Sequence, residues 1–109
     1  MKFKLLICLL VSGLVSQIQA FSVINNLPVK KVVIENIVYH VGSVDFPLNR
    51  TVRLDPGEAW YGDQQANSTA SCHVSVGKKD FDFDGLLYNN IITFFLDEND
   101  KTTYSITTP

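Results

Sequence analysis

Apolar and polar residues alternate along much of this chain after its first twenty positions. The range 72–76 reads Cys-His-Val-Ser-Val, and the range 80–84 reads Asp-Phe-Asp-Phe-Asp. A period of two places the apolar side chains of each range on one face, which predicts two half-buried β-strands. Gly77-Lys78-Lys79 lies between them and predicts a tight turn. This pair is the clearest hairpin of the sequence, with Phe81 and Phe83 facing the core.

Further β-rich runs lie between turn signals. We expect strands over 21–24, within 29–41, and over 51–54, 59–61, 90–96 and 102–108. The run 29–41 fits either one strand kinked at Glu35-Asn36 or two strands around that pair. The run 90–96 is apolar enough to be central and buried on both faces, and Tyr104 and Ile106 should point inward. Pro56 and Gly57 occupy the two central places of a type II turn.

The pattern therefore predicts seven or eight short strands and no helix. We expect an all-β fold, a small single-domain antiparallel β-sandwich of immunoglobulin-like architecture. The Cys…Trp…Cys spacing of antibody domains is missing, and architecture alone does not define a function. The loops Gly42–Arg50, Gly62–Ser71 and Gly85–Asn89 would be the exposed connections, and the polar segment Gly62–Ser71 the most mobile of them.

The first twenty residues differ from the rest. Lys2 and Lys4 precede an apolar run, and Ala20 ends a segment of small and polar residues. This is the pattern of a secretory signal peptide cleaved after Ala20, and the run is too short to span a bilayer. We expect residues 1–20 to be a signal peptide, residues 21–109 to form the domain, and the mature chain to be secreted or periplasmic.

Charge and cysteine content narrow the function. Without Lys2 and Lys4 the chain keeps seven basic against eleven acidic residues, a formal net charge of −4. A mildly acidic chain without a basic cluster argues against nucleic acid or an anionic membrane as partner. Cys72 is the one cysteine after Ala20, so an intramolecular disulfide is excluded. We expect a buried free thiol there, with an intermolecular disulfide or a reactive thiol as the alternatives.

The stretch from Asp80 to Gly85 also matches the first half of a calcium loop. Asp80, Asp82 and Asp84 would take ligand places 1, 3 and 5, and Gly85 the sixth-place glycine. The twelfth place, which should be a bidentate Glu, is occupied by Ile91 instead. Residues two apart on a strand are separated by about 6.6 Å, so the three carboxylates can share one ion only if the chain curls. A solvated acidic strand face is the favoured interpretation, and calcium is the one cofactor that we retain as an alternative.

Other candidate residues lie at strand ends and loops. Asn49 and Asn67 each begin an N-x-[ST] motif and would accept glycans in a eukaryotic secretory pathway. Trp60 and Tyr61 are adjacent, so one should be in the core and the other exposed. Tyr61 or Tyr88 could then contact a sugar or a protein. His40 and His73 lack the spacing of a metal site.

No motif of nucleophilic, metal-dependent or phosphate-binding catalysis occurs in the sequence, and we expect no enzymatic activity. The favoured function is a small, monomeric, exported protein that binds another protein or a glycan through loops or a free strand edge. Within that class it could be an inhibitor, an effector or a subunit of a surface assembly. The alternatives are a calcium-dependent carbohydrate-binding module that uses the aspartates, and a structural domain without a separable ligand.

Overall fold

The structure is a computed structural model, and it describes residues 21–62 and 68–108. The predicted signal peptide lies outside these residues. Nine strands form the described part, and no helix occurs in it: β1 Ser22–Asn25, β2 Val32–Val41, β3 Val44–Leu48, β4 Val52–Leu54, β5 Ala59–Tyr61, β6 Ser68–Val76, β7 Lys79–Leu87, β8 Ile91–Leu96 and β9 Thr102–Thr107. A search of the same residues for a helix able to cross a membrane finds none.

The strands form two sheets. Sheet A has the order β5-β1-β8-β9, and sheet B has the order β3-β2-β6-β7 with β4 paired to the first half of β2. All neighbouring strands are antiparallel except β1 and β8, which run parallel with Ser22 opposite Ile91. The all-β, two-sheet prediction is confirmed.

A single apolar core contains residues of both sheets. Its largest fully buried side chains include Phe21, Ile34, Ile37, Ile92 and Phe94. At one end of the core Phe94 meets the rings of Phe81 and Phe83 edge-on, with centroids 5.3 and 6.2 Å apart. Edge-to-face packing of this kind stabilises a core beyond the burial of apolar area. The inward orientation predicted for Phe81 and Phe83 is therefore correct.

Two β-bulges interrupt sheet B at the same level. Asn36, with a φ of 52°, lies where the pairing of β2 with β6 shifts, and Gly85, with a φ of 67°, lies where the pairing of β6 with β7 shifts. An extra residue in one strand reverses which positions face the core. Inward positions change from Ile34 to Ile37 on β2 and from Phe83 to Leu86 on β7. The run 29–41 is thus one strand with a kink.

Several sequence-based boundaries are wrong. The segment Gly42–Arg50, predicted as a loop, contains β3, which pairs with β2 through Tyr39 and Phe46. Pro47 had suggested a loop, but the edge of a sheet tolerates a proline. β7 continues beyond Gly85 to Leu87, and β6 begins at Ser68, so the predicted loops after β5 and β7 are shorter than expected.

The apolar strand β8 is central in sheet A, as predicted, but it is not buried on both faces. Ile92 and Phe94 are fully buried, whereas Ile91, Thr93 and Phe95 are half-buried. These three residues alternate with the buried pair and therefore lie on the outer face of sheet A. The run looked buried on both faces because two of its half-buried outer positions carry the large apolar side chains of Ile91 and Phe95.

The buried side chain of Asn25 connects the two sheets at the end of β1. Its Nδ2 donates to the carbonyl oxygens of Lys30 and Leu54, at 2.9 Å each, and its Oδ1 accepts from the backbone N–H of Leu27 at 3.0 Å. One side-chain amide thereby bonds to three backbone groups inside the fold.

Candidate functional site

On one side of the molecule the last strands of both sheets lie next to each other. β7 ends sheet B and β9 ends sheet A. Tyr104 of β9 packs edge-on against Phe81 and Phe83 of β7, with ring centroids 5.5 and 4.9 Å apart. Lys79 Nζ also donates to the carbonyl oxygen of Thr102 at 3.2 Å. This side therefore presents two strand edges over one aromatic cluster.

The backbone of β9 has groups that point away from the sheet. The N–H of Asp97 donates to the carbonyl of Lys101 at 2.9 Å, which makes these two residues a hydrogen-bonded pair. Such pairs alternate along an antiparallel ladder, so Thr103, Ser105 and Thr107 bond to β8. The N–H and C=O groups of Thr102, Tyr104 and Ile106 then point outward. The bond from Lys79 to Thr102 agrees with this direction.

The side chains of β9 keep the two faces of the strand distinct. Tyr104 and Ile106 lie opposite the buried Phe94 and Ile92, so they face inward as predicted. They nevertheless remain 40 % and 44 % exposed, because no described strand covers the outer edge of β9. Hydroxyl side chains alternate with them on the other face.

The other four edge strands of the described residues carry features that discourage strand pairing. β3 contains Asp45 and Pro47, and β4 and β5 have only three residues each. β7 carries three aspartates and the bulge at Gly85. Charges, prolines, bulges and short length are the known protections of sheet edges.

β9 has six residues and contains no charge, no proline and no bulge. Lys79 of β7 occupies the outward carbonyl of Thr102, so the outward groups left open are those of Tyr104 and Ile106. The edge of β9 is therefore the candidate functional site.

The aspartates of β7 stay on an extended strand. Asp80 and Asp82 both face His73 of β6, with Asp82 Oδ1 2.6 Å from Nδ1 and Asp80 Oδ1 3.3 Å from Nε2. Ser75 donates to Asp80 at 2.9 Å, and Asp84 accepts from the N–H of Gly85 at 2.9 Å. The aspartates thus lie on the exposed face of the β6–β7 hairpin, and two of them are hydrogen-bonded to the imidazole of His73.

This geometry differs from the curled loop that calcium would require. The two carboxylates lie against opposite nitrogens of one ring, so their oxygens do not converge on a common point. The strand continues through Gly85, and in the ranges 21–62 and 68–108 no group of three His, Cys, Asp or Glu side chains is arranged to hold a metal ion. The described geometry gives the calcium alternative no support.

The carboxylates around His73 change its acidity. Its pKa is raised from the usual 6.5, first by the hydrogen bond to Asp82 and further by Asp80, with partial burial acting in the opposite direction. Both ring nitrogens can donate only when the imidazole is charged, so two acceptors favour the charged form. The two aspartates of β7 thus account for the direction of the shift.

His40 makes a second network on the outer face of sheet B. Its Nδ1 lies 2.7 Å from Asp45 Oδ1, and its Nε2 lies 3.2 Å from Ser71 Oγ. The order Asp–His–Ser resembles that of a hydrolase triad. However, Ser71 lies within β6, opposite Val38, and not on the sharp turn that exposes a nucleophilic serine in hydrolases. The contacts connect β3, β2 and β6 across the sheet surface.

Cys72 lies in the core between the two sheets. It is buried and free, and burial raises the pKa of its thiol to about 12, with a smaller contribution from Asp82. A thiol with so high a pKa is protonated at neutral pH and is a poor nucleophile. The buried position expected from the sequence is confirmed, and the free state of the thiol stays a prediction.

The predicted aromatic binding residues lie apart from one another. Trp60 is half-buried and packs edge-on against Phe21 with centroids 5.3 Å apart, whereas Tyr61 is 70 % exposed. Tyr88 is half-buried in the turn after β7. The expectation that Trp60 and Tyr61 point in opposite directions is correct, but Tyr61 on β5 and Tyr88 do not share a strand or a turn.

The two predicted glycosylation positions differ in what the structure describes. Asn49 is exposed between β3 and β4, where its side chain is accessible. Asn67 lies outside the described residues.

Comparison with protein-family models, with curated proteins and with solved structures finds no match for this chain.

Sequence reasoning missed the edge of β9 and the surroundings of His73. The order of strands in a sheet depends on contacts between distant segments, so the sequence did not show that β9 is an edge. A signal for His73 did exist: in the predicted hairpin, a strand position at 73 lies opposite 82 if the turn is centred on Gly77-Lys78. That register puts a histidine against an aspartate.

Proposed function

We propose that this protein is a non-enzymatic binding domain that adds an extended segment of another protein to sheet A at the edge of β9. The single observation that supports it most is the free, uncharged edge of β9, with outward backbone groups at Tyr104 and Ile106. Strand addition of this kind is a common mode of peptide recognition. The scaffold would be an immunoglobulin-like β-sandwich, exported after loss of residues 1–20, that acts as a monomer.

The composition of β9 supports this function. Its sequence Thr-Thr-Tyr-Ser-Ile-Thr is rich in residues that favour strands, and it contains no charge and no proline. Proteins usually protect such an edge, because a free ladder of N–H and C=O groups pairs readily with other chains. Among the edge strands of residues 21–62 and 68–108, β9 is the one without a charge, a proline, a bulge or a short length, and this supports its use as a binding edge.

Backbone and side-chain terms both favour an added strand. Each backbone hydrogen bond contributes about 0.5–1.5 kcal/mol net, and Tyr104 and Ile106 together offer four groups. Covering the exposed parts of these two side chains adds about 1 kcal/mol each. Association costs at least about 4 kcal/mol in lost freedom, so β9 alone would give weak binding, and a partner must add contacts beyond it.

A proline at position 106 tests the proposal. Ile106→Pro removes an N–H that points away from β8, so it should block strand addition and leave the ladder of sheet A intact. Ile106→Ala is the matched control, because it shortens the side chain in the same way but keeps the N–H. Each form of the protein is immobilised and incubated with the proteins secreted by the cells that produce it. The captured proteins are then identified.

The proposal requires proteins that bind the wild type and Ile106→Ala but not Ile106→Pro. Their binding should also slow amide hydrogen exchange at Tyr104 and Ile106 in the domain. Equal capture by Ile106→Ala and Ile106→Pro, with unchanged exchange on β9, would show that binding takes place elsewhere. Ser105→Pro removes an N–H that bonds to β8, so it should lower the melting temperature. It shows how a variant behaves when the ladder between β8 and β9 is itself disrupted.

A further inference from the structure

Resting on the proposed function, we infer that the segment that pairs with β9 has an uncharged, alternating stretch followed by basic residues. The stretch runs antiparallel to β9, with apolar side chains facing the same way as Tyr104 and Ile106. The basic residues come at its C-terminal end, beside the turn Asp97–Lys101. This assigns a chemical class of partner that the free edge by itself does not define.

The alternation follows from the two faces of β9. On the inner face, Tyr104 and Ile106 are exposed next to the rings of Phe81 and Phe83. A partner side chain on that face lies against apolar groups, so a charge there would lose hydration without a counter-charge. The outer face of β9 carries the hydroxyls of Thr103, Ser105 and Thr107, which suit polar or β-branched neighbours.

The basic flank follows from the turn that precedes β9. Asp97, Glu98 and Asp100 lie there with Lys101, and the ammonium of Lys79 lies beside the turn, 3.2 Å from the Thr102 carbonyl oxygen. Three carboxylates against two ammonium groups leave the turn acidic. Asp97 accepts from the backbone N–H groups of Asn99 and Lys101, at 2.8 and 3.0 Å, and these bonds lower its pKa. Its charge is therefore maintained, and Glu98 and Asp100 are exposed beside it. An antiparallel strand that leaves β9 at Thr102 reaches this acidic turn with its C-terminal end.

The antiparallel direction follows from the rest of the fold. Every described strand pair except β1 with β8 is antiparallel, and antiparallel ladders are slightly more stable per residue. A parallel partner would place the same end of its segment beside Thr107, away from the acidic turn.

A second copy of this chain fits the site less well. Two β9 strands can pair about a two-fold axis at Tyr104, but six residues per chain fall well short of the area of about 800 Å² per partner found in standard interfaces. Both copies also carry the same net charge, −2 for the full sequence. A longer segment from another protein can contact β9 and the acidic turn together.

Synthetic peptides test the inference on the whole protein. The probe is Val-Thr-Val-Thr-Val-Lys-Lys with a fluorophore, and its binding is followed by anisotropy at low and high salt. Comparison peptides end in Glu-Glu, begin with Lys-Lys, or carry N-methyl groups on the residues that would pair. A double variant of the protein, Glu98→Lys with Asp100→Lys, reverses the charge of the turn without changing β9.

The inference expects the Lys-Lys-ending peptide to bind about ten-fold more tightly than the Glu-Glu-ending one at low salt. The double variant should remove or reverse this preference, and high salt should weaken it. N-methylation and Ile106→Pro should each reduce binding about ten-fold or more.

The remaining outcomes separate the partner class from the proposed function. Equal binding of both charge forms, with loss in Ile106→Pro, would overturn the basic flank and keep strand addition. A tighter peptide that begins with Lys-Lys would overturn the antiparallel direction. If the protein formed dimers and Ile106→Pro abolished them, the partner of β9 would be a second copy of this chain and not another protein. Binding that neither N-methylation nor Ile106→Pro alters would overturn both proposals.

Discussion

At the scale of single residues, polar side chains define this structure where the apolar pattern is silent. Asn25 is fully buried and satisfies three backbone groups, while its neighbour Asn26 is exposed. The two have the same chemical group and lie side by side in the sequence, so only the fold distinguishes them. Asn26 is therefore a matched control for substitution of Asn25.

Asn25→Ala should destabilise the domain far more than Asn26→Ala. The first change leaves the buried carbonyl of Leu54, the buried N–H of Leu27 and the carbonyl of Lys30 without the partner they have now. We expect a loss of about 2–4 kcal/mol in the free energy of unfolding, against less than about 0.5 kcal/mol for Asn26→Ala. Urea unfolding of the three proteins measures both values, and equal losses would contradict the role given to Asn25.

His73 should make stability depend on pH. Because its pKa is raised above 6.5 in the folded state, its contribution is fully present below pH 6.5 and is lost as the pH rises through the folded-state pKa. Asp82→Asn removes the main cause of the shift and should flatten this dependence. The measurement is urea unfolding of both proteins between pH 5.5 and pH 8.5, with the folded-state pKa taken from the NMR titration of the imidazole. If the free energy of unfolding of the wild type rose with pH relative to that of Asp82→Asn, the prediction would be wrong.

At the scale of strands, the two bulges explain how far the sequence could be interpreted. Alternation predicted the second half of β6 and the first half of β7 correctly, because nothing interrupts the period of two between Cys72 and Phe83. Beyond Gly85 the inward positions change parity, so Leu86 and Leu87 looked like part of a turn. β3 was missed because Pro47 suggested a break, although Val44, Phe46 and Leu48 alternate along the strand.

The candidate site was less predictable than the strands. Thr102–Thr108 was recognised as a strand, and Tyr104 and Ile106 were placed on its inner face. Which strands become edges depends on the pairing of β8 with β1 and of β6 with β2, and these contacts join distant parts of the chain. Local periodicity carries no information on such neighbours.

Gly85→Ala tests the bulge of β7. The residue has a φ of 67°, and no atom lies within 4 Å of where a Cβ would be, so the cost is one of backbone conformation and not of space. We expect a loss of about 1–2 kcal/mol in the free energy of unfolding. Gly85→Asn should cost less, because Asn adopts this conformation more readily. Chemical unfolding ranks the three proteins, and an alanine variant as stable as the wild type would argue against a left-handed residue here.

At the scale of the whole molecule, β1 is the strand on which sheet A depends. It lies between β5 and β8, and Phe21 just before it is fully buried against Trp60. Without β1, β5 would have no partner in the sheet, and the pair β8–β9 would be a hairpin without support. Isolated two-stranded hairpins are marginally stable at best in water.

Replacement of residues 21–25 by Gly and Ser should therefore abolish cooperative unfolding, while the same replacement of the exposed residues Pro28 to Lys30 should preserve it. Thermal unfolding followed by near-ultraviolet circular dichroism distinguishes the two, since the aromatic core gives the signal. A sharp transition in the first variant would show that sheet A forms without β1.

The pairing of Ser22 with Ile91 also has a consequence for the order of events during synthesis. The first described strand finds one of its neighbours only when nearly the whole domain is available, so sheet A closes last. Domains dominated by such distant pairings fold slowly, on a scale of about milliseconds to seconds. We therefore expect a chain with this strand order to stay unfolded until most of it has been synthesised. That kinetic delay is what a polypeptide needs if it is to cross a membrane before it folds.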